Sequence, residues 1–354
     1  MKKTLVALGV SAAILASSSA LASKTLYSHD GLTLKMAAAM EIQYRLRPSD
    51  SVKHEKAEMR VDDGDLEFFL RQMINDDLYA IGDVAFKIGE GDDDSSNPND
   101  IKNDELFVGL GGSFGELTFG RQVLFVDSIG VDEDYEADNG NGFKVANSPQ
   151  SIKYYYDNDN FYGGFTYLID ANDADKDDLD DKKTGGYEVK IGGVVGDFEV
   201  RAFGQLSRYQ EASLYKQYEL DVFYNMTDAL TLGIDGGKYF AGNSFTNMYN
   251  YNDLNSDVSY DDYTFFDASA AYELNEKDTI KAGFGYRDFA HNSFDDEDYS
   301  HKYNSIATTY ANVTHKLASN AKVYAEVLYQ DSNSDSSSKN YNQFGFDLGM
   351  EVKF

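Results

Sequence analysis

The sequence predicts an all-β fold, a sixteen-stranded antiparallel transmembrane β-barrel, and three observations support this prediction. Apolar and polar residues alternate with a period of two along many segments, which places them on opposite faces of a strand. Short turns alternate with long polar connectors. No stretch of the chain after the N-terminal region approaches the roughly 18 apolar residues of a membrane helix, whereas 27 Tyr and 23 Phe suit strands and interfacial girdles.

Residues 32–45 and 78–88 are the clearest predicted strands. In the first, LTLKMAAAMEIQYR, the even positions from Leu32 to Tyr44 are apolar, and the odd positions include Lys35, Glu41 and Arg45. The second, LYAIGDVAFKI, alternates in the same way. Both segments reach the roughly 9 to 11 residues that a tilted membrane strand needs.

The connectors come in two sizes. Short turns rich in Asn, Asp and Gly are predicted at 75–77, 113–116, 157–160, 195–197, 225–229, 275–278 and 317–320. Long polar connectors are predicted at 89–100, 170–184, 241–256, 291–300 and 331–339. Seven short turns close seven hairpins, and the first and last strands bring the count to sixteen. This sorting of loops is typical of outer-membrane barrels, whose periplasmic turns are tight and whose external loops are extended.

The N-terminal residues predict export. Lys2 and Lys3 precede an apolar stretch from Leu5 to Leu15, and the segment closes on Ala20-Leu21-Ala22. This order is typical of a signal peptide, so we expect residues 1–22 to be removed and residues 23–354 to form a single domain.

The acidic composition excludes some partners. The net charge of −30 becomes −32 without residues 1–22, which carry two lysines and no acids. Such a charge argues against nucleic-acid binding and enriches cations near the surface. The chain has no Cys, so no disulfides hold it together.

The last strand, FGFDLGMEVKF (344–354), has an apolar residue at every even position and ends on Phe354. In a barrel this strand must pair with the first, because unpaired backbone groups are not tolerated in hydrocarbon. The apolar face would then meet lipid or a neighbouring subunit.

These features, with FVGLGGSFGELTFGRQ (107–122) and DSIG (127–130), give the sequence a resemblance to Gram-negative general porins. The resemblance covers essentially the whole chain after residue 22. It implies a homotrimer in outer-membrane lipid and lipopolysaccharide that conducts small hydrophilic solutes and cations without a cofactor. It also implies that Phe354 is read by the barrel-assembly machinery.

The resemblance further implies that the third external loop, residues 123–146, folds into the barrel, where its acids face a basic wall and narrow the channel. The implied constriction residues are Asp132, Glu133, Asp134, Glu136 and Asp138 on the loop, with Arg121, Arg60 and Lys153 on the wall. Simple alternation places Arg121 on the side of Leu117 and Phe119, so a bulge near Gly120 would be needed to turn it inward. The barrel wall offers few basic residues, and the chain has a large negative net charge. Together these features predict that the channel prefers cations.

Two alternatives remain open. A sugar-type channel of eighteen strands and a barrel that acts as adhesin or receptor through its acidic loops both fit the pattern. Asp173, Asp175 and Asp177 have the spacing of a calcium loop, but Asp178 stands where that loop needs Gly and Thr184 where it needs Glu. No His lies in a recognisable catalytic motif, so we do not expect an enzyme.

Overall fold

The computed structural model describes residues 23–46, 57–88, 101–134, 147–158, 160–170, 185–209, 213–240, 262–289, 303–334 and 341–354. Its strands are β1 (Lys24–His29), β2 (Leu32–Leu46), β3 (Glu58–Met73), β4 (Leu78–Ile88), β5 (Ile101–Gly112), β6 (Gly115–Val123), β7 (Asn147–Asp157), β8 (Phe161–Asp170), β9 (Gly185–Val195), β10 (Phe198–Tyr209), β11 (Ser213–Asn225), β12 (Leu230–Phe240), β13 (Tyr263–Glu273), β14 (Asp278–Phe289), β15 (Tyr303–Ala318), β16 (Ala321–Ser334) and β17 (Tyr341–Lys353). A short 3-10 helix, Phe125–Ser128, follows β6.

Strands β2 to β17 form a closed barrel. Each pairs antiparallel with its neighbours in the chain, and β17 pairs with β2 to close the ring. The predicted sixteen-stranded antiparallel barrel is therefore confirmed. The described residues contain no helix that is both long and apolar enough to cross a membrane.

The predicted strands and short turns agree with the structure. The strand predicted at 32–45 is β2, and the one predicted at 78–88 is β4 with the same bounds. All seven predicted short turns join consecutive strands, from the β3–β4 turn after Met73 to the β15–β16 turn after Ala318. The Asn75 side chain shows why: its carbonyl oxygen accepts hydrogen bonds from the backbone N–H groups of Asp77 and Leu78 and fixes the turn.

The two faces of the barrel differ in polarity. In β9, Tyr187 and Val189 are exposed on the outer face, whereas Glu188 and Lys190 are buried on the inner face. The same alternation continues to the last strand, where Phe344 and Leu348 are exposed and Asp347 is buried. Apolar residues therefore face outward and polar residues line the interior, as membrane barrels require.

One strand was not predicted. β1 turns into β2 through Asp30 and Gly31, both with positive φ (49° and 75°), and pairs with the segment from Leu32 to Met36. Sequence reasoning placed the first strand at 32, because β1 is short and exposed and lacks a buried face. β1 therefore adds a seventeenth strand to the described residues, outside the ring of sixteen.

β1 and β17 share one edge of β2. β17 pairs with the upper part of β2, from Ala39 to Leu46, and β1 pairs with its lower part. Between the two, Phe354 donates its backbone N–H to the Ala38 carbonyl at 2.9 Å and accepts the Ala38 N–H at 2.6 Å. We call this junction of β1, β2 and β17 the seam, and it brings both ends of the described chain together.

Residues 1–22, predicted as a signal peptide, lie outside the described residues, as do most residues of the predicted long connectors. Consecutive strands of the barrel are antiparallel, so the seven short turns all lie at the same end of the barrel. The Asp30–Gly31 turn lies at that end as well, because the Gly31 carbonyl accepts the Met73 N–H.

Candidate functional site

Residues 123–134, from the last residue of β6 onward, are called the segment. The segment begins with hydrogen bonds to buried carboxylates. Val123 donates its backbone N–H to Glu105 Oε1 at 2.7 Å. Phe125 and Val126 donate theirs to the two oxygens of Glu188, at 2.8 and 3.3 Å. Glu188 lies on the inner face of β9, and Thr166 also donates its hydroxyl to it at 2.7 Å. The chain thus leaves β6 and meets the inner surface of more distant strands.

Apolar contacts accompany these hydrogen bonds. A buried cluster joins residues of the segment to aromatic and aliphatic side chains of β7, β8 and β10. Its members are Leu124, Phe125, Val126, Ile129, Tyr155, Tyr162, Leu168 and Phe203. The cluster removes these side chains from water. Apolar burial therefore adds to the hydrogen bonds in stabilising the position of the segment against the barrel wall.

The middle of the segment is held by charged groups of β9 to β11. Lys190 Nζ donates to the carbonyl and the hydroxyl of Ser128, at 3.1 and 2.8 Å. Arg201 donates to the carbonyls of Ser128 and Gly130, and its Nε forms an ion pair with Asp221 at 2.9 Å. Asp221 Oδ2 in turn accepts the Gly130 N–H at 3.3 Å. Donors and acceptors of the wall therefore match the backbone groups of the segment.

The contacts continue across β12 to β15. Val131 donates its N–H to Asp235 at 2.9 Å and accepts the Ser269 hydroxyl through its carbonyl. Glu133 donates its N–H to the Tyr310 hydroxyl at 2.7 Å and accepts a hydrogen bond from Asn312 Nδ2 at 2.8 Å. These partners stand up to 179 residues along the chain from the segment.

The charge of Glu133 is paired. Its Oε2 lies 2.6 Å from Lys281 Nζ, and both side chains keep about a quarter of their surface exposed, 29% and 26%. The ion pair therefore borders water. It joins an acid of the segment to a base of β14.

Asp132 lies in a more acidic environment. Burial, and then the nearby Asp267 and Asp134, raise the pKa of Asp132 above its ordinary value. Its Oδ1 atom accepts no hydrogen bond within the described structure. Arg287 opposes this shift, but its Nη1 atom already forms an ion pair with Asp267 at 2.7 Å. The carboxyl of Asp132 therefore holds its proton to a higher pH than an exposed aspartate would.

A second polar network covers the inner wall near the seam. Arg60 Nε donates to Gln43 Oε1 at 3.2 Å, and its guanidinium forms an ion pair with Asp62. Gln43 Nε2 lies within hydrogen-bond distance of Asp62 and of the Tyr324 hydroxyl, at 2.7 and 2.9 Å. The Tyr324 hydroxyl also donates to Glu41. This network joins β2, β3 and β16 on the inner face.

The similarity of the chain to known proteins identifies its family. The Gram-negative porin family model matches residues 8–335. Porin-like protein H of Photobacterium profundum is 35% identical over 100% of both chains. Outer membrane protein U of Vibrio parahaemolyticus is 27% identical over 81% of this chain and 91% of its own. The chain belongs to the Gram-negative porin family. The porin is therefore a non-enzymatic channel protein of the outer membrane.

Solved structures agree with the fold of the porin. The trimer form of in-vitro folded OmpT, an outer membrane protein of Vibrio cholerae, superposes with a TM-score of 0.67 and 19% identity. The match covers 92% of this chain and 100% of that one. At this identity the likeness concerns the barrel architecture.

The structure places several of the predicted constriction residues of the porin on the inner side. Asp132, Glu133 and Asp134 belong to the segment described above. Arg60 pairs in register with the buried Gln43, which puts it on the inner face. Lys153 pairs with Thr118 and Thr166, donates to the Val123 carbonyl at 2.8 Å and lies over the Phe125 ring. The predicted Glu136 and Asp138 lie outside the described residues.

Arg121 lies apart from these residues. A register shift does occur between Gly120 and Gln122, and Gly120 has a φ of 137°. However, Arg121 pairs with Leu106, which is 57% exposed on the outer face, and Gln122 takes the inner position. The Arg121 guanidinium donates to the Asn103 carbonyl at 2.9 Å. The bulge therefore leaves Arg121 in the row of Phe119, away from the interior.

Sequence reasoning missed most of the side chains that hold the segment. They are Glu188, Lys190, Arg201, Asp221, Asp235, Ser269, Lys281, Tyr310 and Asn312. A signal existed, since each stands on the polar face of an alternating strand. That signal gives the face of a residue but not its partner.

Proposed function

We propose that the porin is a passive diffusion channel for small hydrophilic solutes, that residues 123–146 fold inward to narrow it, and that it prefers cations. The observation that carries this proposal is the set of contacts between residues 123–134 and the inner face of β9 to β15. A segment whose backbone groups bond to side chains of the inner face lies within the channel cross-section. Its acids then stand where solutes pass.

The interior supports the cation preference. Among the buried residues of the described strands, acids outnumber bases by twelve to three. The acids are Glu41, Glu67, Asp83, Glu105, Glu188, Glu219, Asp221, Asp235, Asp267, Glu326, Asp347 and Glu351, and the bases are Arg45, Lys190 and Arg287. Acidic walls of this kind raise the local concentration of cations and repel anions.

The predicted basic wall offers little free positive charge. Arg60 is paired with Asp62, and the Lys153 ammonium is held by the Val123 carbonyl and the Phe125 ring. Arg121 lies in the outer row. The transverse field of the constriction is therefore set by the acids of the segment against paired bases such as Lys281.

The test is the reversal potential of the purified porin in a planar bilayer under a KCl gradient. We expect cation preference in the wild type, a smaller preference in Glu133→Gln and a larger one in Lys281→Gln, because the two changes remove opposite charges from one ion pair. Lys277→Gln is the matched control, since Lys277 lies in the exposed β13–β14 turn. Anion preference in the wild type would overturn the proposed selectivity.

We also propose that the porin assembles as a homotrimer in outer-membrane lipid, with lipopolysaccharide phosphates bridged to its acidic external loops by divalent ions. The apolar outer face and the trimer form of the Vibrio cholerae OmpT support this. Conductance in three equal steps is the expected result. An inserted barrel that leaves the bilayer tight would exclude the open channel and turn attention to a receptor role of the external loops.

A further inference from the structure

Two basic side chains on the inner face have no hydrogen bond and no ion pair among the described residues. They are Lys35 of β2 and Arg71 of β3. Lys35 pairs in register with the buried Phe69, and Arg71 pairs with Thr33. The two bases therefore occupy diagonal positions on neighbouring strands, where Cβ atoms lie about 7 Å apart. Side chains of this length can reach a common ligand.

Tyr79 fixes the position of Arg71. The central carbon of the Arg71 guanidinium lies 3.6 Å from the centre of the Tyr79 ring. That ring packs over Gly111, its partner in register, where a Cβ atom would lie 2.3 Å from the ring. The Tyr79 hydroxyl donates to Glu116 Oε1 at 2.8 Å. Stacking covers one face of a guanidinium and leaves its edge open, so the N–H groups of Arg71 are held in place and available.

The two bases line a recess of the inner wall together with Thr33, Phe69 and Glu116. Thr33 contributes a hydroxyl group, and Phe69 contributes an apolar ring. Glu116 contributes one negative charge against the two positive charges of Lys35 and Arg71. The recess is therefore left with one positive charge in excess, within a chain whose net charge is −30.

The recess lies near the short turns of the barrel. Thr33 stands two residues after Gly31, and Arg71 stands two residues before the end of β3. Phe69 also lines the cavity beside Phe125, so the recess lies between the short turns and the segment. Short turns mark the periplasmic end of outer-membrane barrels. A solute from the periplasm therefore reaches the recess before it reaches the segment.

The donors of the recess fit a carboxylate. A guanidinium presents its N–H groups in a fork that matches the two oxygens of a carboxylate, and the Lys35 ammonium and the Thr33 hydroxyl add further donors. The charge of Glu116 disfavours a phosphate group, which carries about −1.5 to −2 at neutral pH. The Phe69 ring offers an apolar contact to a short carbon chain.

We propose that Lys35 and Arg71 bind the carboxylate group of a small organic solute at the periplasmic end of the channel. Arg71 takes the carboxylate through its N–H edge, Lys35 adds the second positive charge, and Phe69 contacts the apolar part of the solute. The site goes beyond passive diffusion, because it retains one chemical class of solute. It does not depend on whether the segment makes the channel prefer cations.

The experiment titrates sodium butyrate into both chambers during single-channel recording of the wild-type porin, at neutral pH and constant ionic strength. We expect interruptions of the current that saturate with concentration and give a dissociation constant. Lys35→Gln and Arg71→Gln should each raise this constant about tenfold, because each loses a charge-assisted hydrogen bond. Glu116→Gln should lower it, because a repelling charge is removed while the side-chain carbonyl still accepts the Tyr79 hydroxyl.

Lys316→Gln is the matched control. Lys316 follows the buried Thr314 by two residues on the inner face of β15, near a short turn, and it lies outside the recess. The control removes one positive charge from the same end of the barrel and should bind butyrate as the wild type does.

Inorganic phosphate is titrated in the same way and should bind more weakly than butyrate. Tighter binding of phosphate than of butyrate would overturn the proposal. So would a wild type without butyrate interruptions, or a dissociation constant that is unchanged in Lys35→Gln and Arg71→Gln. The reversal potential under a KCl gradient is a separate reading, so failure of this site is distinguished from failure of the proposed cation preference.

Discussion

Phe125 donates its backbone N–H to Glu188 Oε1 at 2.8 Å, although 63 residues of chain separate the two. The second oxygen of the same carboxylate accepts the N–H of Val126. One buried side chain of β9 thus anchors the first turn of the segment, and replacing it tests whether the segment restricts the channel.

We expect Glu188→Ala to release the start of the segment. The change leaves two buried amides without an acceptor, at a cost of about 1–3 kcal/mol for each. Single-channel conductance should rise and current noise should increase, while strand pairing is unaffected. Glu351→Ala is the control, because Glu351 is also a buried glutamate of the inner face but pairs with Lys322 and Lys353 instead of the segment. Conductance and noise equal to the wild type in Glu188→Ala would contradict the inward position of the segment.

The selectivity of the channel should depend on pH through Asp132. Because the pKa of Asp132 is raised, its neutral form is stabilised in the folded porin, and its electrostatic repulsion by Asp267 is smallest at low pH. As the pH rises through the raised pKa, a negative charge appears beside Asp267 and Asp134. Cation preference should therefore increase with pH, above the ordinary aspartate value of about 4.

Asp132→Asn should remove this part of the pH dependence. Reversal potentials measured from acidic to alkaline pH would show a flatter curve than the wild type. Asp197→Asn is the control, because Asp197 lies in the exposed β9–β10 turn. If Asp132→Asn and the wild type gave the same curve, Asp132 would not face the conducting path.

The seam predicts a separate effect on stability. Deletion of residues 24–29 removes the strand that pairs with the lower part of β2 and leaves backbone groups there without partners. We expect a lower temperature of heat-induced unfolding in detergent, with single-channel conductance unchanged. The double variant Leu26→Ser, Tyr27→Ser is the control, since it keeps the backbone pairing and alters only exposed side chains. An unchanged unfolding temperature in the deletion would show that β1 adds nothing to closure.

Phe354 should act through its side chain during assembly in the cell. The backbone N–H and carbonyl of Phe354 both form hydrogen bonds with the backbone of Ala38. Phe354→Ala keeps these backbone groups and therefore preserves the pairing of the seam. We expect Phe354→Ala to lower the yield of porin in the outer membrane of cells, whereas the variant refolded in detergent unfolds at the wild-type temperature. Deletion of Phe354 should lower both the yield of porin in the outer membrane and the unfolding temperature in detergent. Normal yield of Phe354→Ala would contradict the assembly role implied by the resemblance.

The barrel could be predicted from the sequence because strand alternation and turn formation depend on residues that are close together in the chain. A period of two gives the face of each residue, and Asn or Gly at fixed places gives the turns, as Asn75 shows. β1 was missed for the same reason: its six residues are all exposed in the described structure and carry no two-faced pattern. The residues of the segment were predicted through the family resemblance, without their partners.

The partners of the segment depend on tertiary geometry that alternation does not contain. In the sequence, Glu188 and Asp235 are single acids on the polar faces of their strands. Nothing in the neighbouring residues indicates which backbone N–H donates a hydrogen bond to each of them. Arg121 shows the opposite case. Simple alternation placed it with Phe119, and the structure keeps it there in spite of the bulge at Gly120.

The distances along the chain between the segment and its partners impose an order in time. Glu188 lies 62 residues after Val126, and Asn312 lies 179 residues after Glu133. None of these side chains exists when the ribosome has completed the segment, and each reaches its position only when its own strand has joined the sheet. Contacts of such long separation form late. The segment consequently acquires these contacts only after the strands that carry its partners have paired.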